Sequence, residues 1–156
     1  MKILAIDPGN IESAYCIADS KTYQIIEKGK IENEKLSLVI QHAEYDKLVI
    51  EMVACYGMPV GKEVFDTCVW IGRFIQEAYE LGIDCDYIYR KEEKMNLCNS
   101  MKAKDSNIRQ ALIDRFGTAG TKKNPGWFYG FKADIWSAYA VAVTYLDKEK
   151  GKLKNE

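Results

Sequence analysis

Three acidic residues stand where a strand or a helix can present a carboxylate to a cation. They are Asp7 in Ile6-Asp7-Pro8-Gly9, Glu51 in Val49-Ile50-Glu51-Met52, and Asp134 in Ala133-Asp134-Ile135-Trp136. The first two close apolar runs that read as buried strands, and the third opens an apolar run at helical spacing. Hard divalent cations prefer oxygen ligands, and a pair of them can clamp a phosphodiester during in-line displacement. The pattern therefore predicts metal-dependent hydrolysis of a phosphodiester. Taken singly, Asp7 before Pro-Gly also suits a turn, and Asp134 suits a helix N-terminus. Glu51 resists so simple a reading, because a carboxylate in an apolar strand is costly to bury without a partner.

The elements that must bring these acids together follow from periodicity. Lys2 to Asp7 reads as a strand ended by Pro8-Gly9-Asn10, and 13–18 and 23–32 read as two more strands in a hairpin. A short helix over 35–45 returns the chain for a strand over 47–53, a crossover that favours parallel pairing with the first strand. A long helix over 62–81 stops at Gly82, a strand follows over 85–90, and a helix over 105–116 stops at Gly117. The closing helix is expected over 133–147, which places Asp134 in its first turn. The fold class predicted is α/β: a mixed sheet of three antiparallel N-terminal strands plus parallel strands, flanked by helices. Residues 1–147 are expected to form a single domain, and 148–156 a charged, frayed tail.

The chain has 156 residues, of which 47% are apolar and 29% charged, as in an ordinary globular protein. Neither a membrane-spanning run nor a signal-peptide pattern is evident, so a cytoplasmic protein is expected. The cysteines at 16, 55, 68, 85 and 98 lack Cys-x-x-Cys spacing and read as small apolar fillers rather than zinc ligands. The only histidine, His42, is expected on the surface. Net charge is −1, yet its distribution is uneven. Between residues 90 and 123, Arg90, Lys91, Lys94, Lys102, Lys104, Arg109, Arg115, Lys122 and Lys123 face only Glu92, Glu93, Asp105 and Asp114. A basic stripe beside an acidic site suits a phosphate backbone, and a solvated helix and loop is the plainer alternative.

Ile6-Asp7-Pro8-Gly9, Ile50-Glu51-Met52 and the run from Ala133-Asp134 to Ala142, in that order and on those elements, resemble the RuvC-type Holliday-junction resolvases of the RNase H-like superfamily. The short versions carried by bacteriophages and prophages are the nearest in kind, and the resemblance covers nearly the whole chain. It implies an RNase H-like fold and a homodimer that binds four-way or otherwise branched DNA in recombination and repair. It also implies paired nicks made with Mg²⁺, or Mn²⁺ as substitute, through two ions once substrate is bound. On this resemblance Asp7, Glu51 and Asp134 are the metal-binding carboxylates. The family usually carries a second acid three residues after the first on the closing helix, and here Ser137 stands there. Residues at i and i+3 share a helical face, so Ser137 should point at the same ions without supplying charge. Asp66 or Glu63 from the long helix, or substrate and water, are candidates to make up the deficit; a protein that binds junctions and cuts poorly is the other outcome.

Lys102 or Lys104 could neutralise charge developing on the phosphate, and family members carry lysines in the comparable stretch. The loop Tyr56-Gly57-Met58-Pro59 follows Glu51 closely, and the resemblance places it at the junction centre, where Tyr56 or Met58 could wedge between unstacked bases. Packing of Tyr56 on the sheet is the alternative. The loop Lys122-Lys123-Asn124-Pro125-Gly126-Trp127-Phe128-Tyr129 mixes cations with aromatics, which either meet bases or anchor the final helix. The expected DNA contacts are thus Tyr56, Met58, Arg90, Lys91, Lys94, Lys102, Lys104, Arg109, Lys122, Lys123 and Trp127. Rival readings are an RNase H-like nuclease acting on hybrid or single-stranded nucleic acid, and a non-catalytic junction-binding protein on the same fold.

Overall fold

The computed structural model describes residues 1–154. Strands β1 (Lys2–Asp7), β2 (Glu12–Asp19) and β3 (Ile25–Glu32) form an antiparallel meander, followed by helix α1 (Asn33–His42) and strand β4 (Lys47–Glu51). Helix α2 (Lys62–Glu80) leads to β5 (Cys85–Ile88), and α3 (Arg90–Cys98), α4 (Asp105–Phe116) and α5 (Ile135–Lys154) complete the chain. The sheet order is β3-β2-β1-β4-β5, with β4 parallel to β1 and β5 parallel to β4. This is the mixed sheet that the strand pattern predicts.

Both faces of the sheet are covered, which explains why β1 and β4 read as continuous apolar runs. Leu4, Ile6, Leu48 and Ile50 point to one face and pack with Leu36 and Ile40 of α1 and Ile71 and Phe74 of α2. Ile3, Ala5, Val49 and Ile88 point to the other and pack against α5 and α4. All residues from Ala138 to Leu146 are buried, because α5 lies between the sheet and α3 and α4. A helix apolar all round is what such a position requires.

Strand periodicity then decides where the acids go. Side chains alternate faces at period two, and β1 and β4 run in register with Ile6 opposite Ile50. Asp7 follows Ile3 and Ala5 onto the α5 face, and Glu51 follows Val49 onto the same face.

Two of the differences from the expected boundaries bear on the site. Residues 85–90 do not form one strand: β5 ends at Ile88 and α3 begins at Arg90, a helix that periodicity did not predict. Its inward positions are Glu93 and the half-buried Leu97 and Cys98, so a carboxylate stands where an apolar residue would have given the signal. The closing helix starts at Ile135, one residue after Asp134, and continues beyond Asp147 to Lys154. Residues 155–156 of the expected tail lie outside the described residues.

Candidate active site

Asp7 is held by the turn that follows it. Gly9 N–H donates to Ser13 Oγ at 3.0 Å, Ser13 Oγ donates to Asn33 Oδ1 at 2.6 Å, and Asn33 Nδ2 donates to the Gly9 carbonyl at 2.9 Å. Ser13 and Asn33 are buried, so this closed ring of hydrogen bonds fixes the exit of β1. A Cβ on Gly9 would stand 2.2 Å from the Glu12 carbonyl oxygen, which leaves glycine as the residue that fits.

Asp134 arrives from the opposite side. Ala133 before it has φ of 48°, a left-handed conformation that costs a non-glycine residue energy and turns the chain sharply into α5. The Asp134 backbone carbonyl accepts from Ala138 N–H, and its carboxylate accepts from Lys30 Nζ of β3 at 2.7 Å. That pairing raises the Lys30 ammonium above the ordinary lysine value. Asp7, Lys30, Asp134 and Glu12 line a cleft of about 350 Å³ over the ends of β1 and β2. On its other side Asp134 borders a smaller depression of about 140 Å³ with Ser137, Arg90, Asp105 and Arg109.

Glu51 meets a partner that sequence reasoning missed. Glu93, 0% exposed, lies within hydrogen-bonding reach of Glu51 and accepts from Arg90 Nη1 at 3.0 Å. Arg90 also pairs with Asp105. Each of the two glutamates retains a buried Oε2 without a hydrogen-bond partner.

These surroundings disfavour negative charge. Burial, then the charges of Glu51 and Asp134, push the Asp7 carboxyl up to about 8, against the lesser opposing pull of Arg90 and Lys30. Burial raises Glu51 as well, and burial followed by the Glu51 charge raises Glu93, so ionising both at once is disfavoured. Among the described residues no three carboxylate, imidazole or thiol side chains stand close enough to enclose an ion unaided. The donor set nevertheless suits a hard divalent cation: it is all oxygen, convergent in charge, and includes two buried carboxylate oxygens with no other partner.

The remaining expected residues fall into two groups. Arg109 lines the depression beside Asp134 and lays its guanidinium 5.3 Å from the Trp136 ring centroid. Tyr56, Met58, Lys91, Lys102, Lys104, Lys122 and Lys123 are exposed, Lys94 is half-buried, and Lys102 and Lys104 occupy the turn between α3 and α4 without lining either depression. Two of the expected contacts have partners within the chain. Arg90 pairs with both Glu93 and Asp105, so it balances charge inside the acidic cluster. Trp127 stacks on Phe116 at 5.1 Å and donates its indole N–H to Tyr139 Oη at 3.1 Å, and Phe128 is fully buried. That loop anchors α5, and only Tyr129 of its three aromatics is exposed. Asp66 is paired with Lys62 on exposed α2, which makes it no substitute for the missing acid.

Comparison with protein-family models and with curated protein sequences gives no match. Solved structures do match. A Thermus thermophilus RuvC structure is 13% identical with a TM-score of 0.73, covering 97% of each chain. T. thermophilus RuvC in complex with Holliday junction substrate is 12% identical with a TM-score of 0.75, covering 97% of this chain and 96% of that one. The chain has the RuvC-type, RNase H-like fold over nearly its whole length.

Proposed function

We propose that this protein is a divalent-metal-dependent endonuclease that resolves four-way or branched DNA junctions by paired nicks. The observation that carries the reading is the placing of Asp7 and Glu51 on one sheet face, with Asp134 brought beside Asp7 at the mouth of a RuvC-type fold. Junction DNA as substrate is supported by the fold of a RuvC seen with a Holliday junction, and by the exposed cations between residues 91 and 123.

Asp7, Glu51 and Asp134 would hold Mg²⁺ or Mn²⁺, as two ions with substrate bound. Such ions supply Lewis acidity at the phosphate and lower the pKa of water. The chain's own residues set the conditions. Burial keeps Asp7 and Glu51 from being solvated by bulk water, so they favour a cation strongly. Lys30 occupies Asp134 until another cation or a phosphate competes for the pair. Arg109, exposed at the rim, is placed to pair with a backbone phosphate, with Lys102, Lys104, Lys122 and Lys123 further along the same basic segment. Ser137 contributes a hydroxyl without charge.

A homodimer fits the exposed face of α2. Phe65, Val69 and Tyr79 are 60%, 63% and 70% exposed, and with Gly72 and Gln76 they follow a 4-3-4-3 spacing along one stripe. Two copies crossing at Gly72 would bury that stripe and bring two centres to one junction, as paired nicks require. Among the described residues no helix is long and apolar enough to cross a membrane, and all five cysteines are free thiols, which fits a cytoplasmic site of action.

The test is cleavage of a labelled synthetic four-way junction beside an RNA–DNA hybrid duplex, each with Mg²⁺, Mn²⁺ or EDTA. Symmetric nicks in the junction that require a divalent ion support the reading. Preference for the hybrid would favour a different RNase H-like nuclease, and metal-independent binding without nicks a non-catalytic junction binder.

A further inference from the structure

The centre just described lacks a second acid on its closing helix, and α3 brings one from elsewhere. Glu93 is fully buried, yet it does not behave as a residue kept for the fold. Its partner Arg90 already has Asp105, its Oε2 has no hydrogen-bond partner, and it faces Glu51, whose own Oε2 is equally unpartnered. Two carboxyls pressed together in a dry site repel when both are ionised, and an apolar side chain or an amide would fill the same space at lower cost. The arrangement becomes favourable once a divalent cation adds positive charge beside Glu51. Arg90 offsets part of the repulsion, and its charge also reaches Asp7 and Glu51.

We propose that Glu93 is the fourth carboxylate of the metal centre: a positioning residue, anchored by Arg90, that orients Glu51 and supplies from α3 the negative charge Ser137 does not provide from α5. This rests on the metal-dependent reading above. Groups that orient metal ligands typically change metal affinity by about 10- to 100-fold when removed.

The experiment is calorimetric titration of Mn²⁺ into the wild-type chain, Glu93→Gln, Glu93→Asp and Asp7→Asn, with thermal unfolding of each in EDTA. Glutamine keeps the shape and the acceptor for Arg90 and removes the charge. The expected result is Mn²⁺ affinity about 10- to 100-fold weaker in Glu93→Gln, a smaller loss in Glu93→Asp, and a melting temperature of Glu93→Gln in EDTA no lower than wild type. Unchanged Mn²⁺ affinity in Glu93→Gln alongside its loss in Asp7→Asn would overturn the assignment of Glu93 while leaving the metal reading intact. A Glu93→Gln chain that melts well below wild type in EDTA, or does not fold, would overturn it too, by showing that the carboxylate serves the fold. Mn²⁺ binding unaltered in every variant would remove both the assignment and the reading beneath it.

Discussion

At the scale of single residues, the metal-free site is a cluster of carboxyls whose burial opposes ionisation. Asp7 in the folded chain titrates near 8 against an ordinary 3.8, so between those values the folded state holds a proton that the unfolded chain has released. Stability of the metal-free protein therefore falls as pH rises through that window, and the stabilisation is complete only below about pH 4. Glu51 and Glu93, both raised, act in the same direction. Melting curves in EDTA from pH 5 to about 8.5 should show this decline, and Asp7→Asn should flatten it; a wild-type profile that rises over the same range would contradict the burial-driven account. Asp7, Glu51 and Asp134 were legible in the sequence because each interrupts an apolar pattern or opens one. Glu93 and Lys30 were not: Glu93 lies in a polar stretch whose inward face cannot be identified without α5 above it, and Lys30 reaches Asp134 across 104 residues of sequence.

At the scale of elements, the meander, the β1–α1–β4 crossover and α4 follow directly from alternation, turn residues and a glycine stop, and the first two place Asp7 and Glu51. Helix α3 has no apolar stripe to announce it, since its buried inward position is a carboxylate. The aromatic loop before α5 was open to two readings from sequence, and packing decides between them. Phe128 touches Trp136 at 4.7 Å, Phe131 at 4.9 Å and Tyr139 at 5.7 Å between ring centroids, so it fastens the first turns of α5 beside the site. Phe128→Ala should cost about 3–5 kcal/mol of unfolding free energy by denaturant titration. A loss under about 1 kcal/mol would mean that the loop does not hold α5 in place.

At the scale of the whole molecule, a balanced net charge conceals an acidic cleft and a separate run of exposed lysines and arginines between residues 91 and 123, the two features that the proposed function assigns to metal and to DNA backbone. The apolar stripe on α2 faces away from its own core, and Phe65→Glu should convert a dimer to a monomer in sedimentation experiments while leaving the fold's circular dichroism intact. A wild-type chain that sediments as a monomer at micromolar concentration would remove the stripe's assigned role. The central claim, that carboxylates from β1, β4 and the start of α5 share a divalent ion, is tested most directly by anomalous diffraction from crystals grown with Mn²⁺. The account predicts an anomalous peak within direct coordination reach of both Asp7 and Glu51, with Asp134 released from Lys30 toward it. A well-ordered site with Mn²⁺ in the crystal and no peak between those side chains would contradict it.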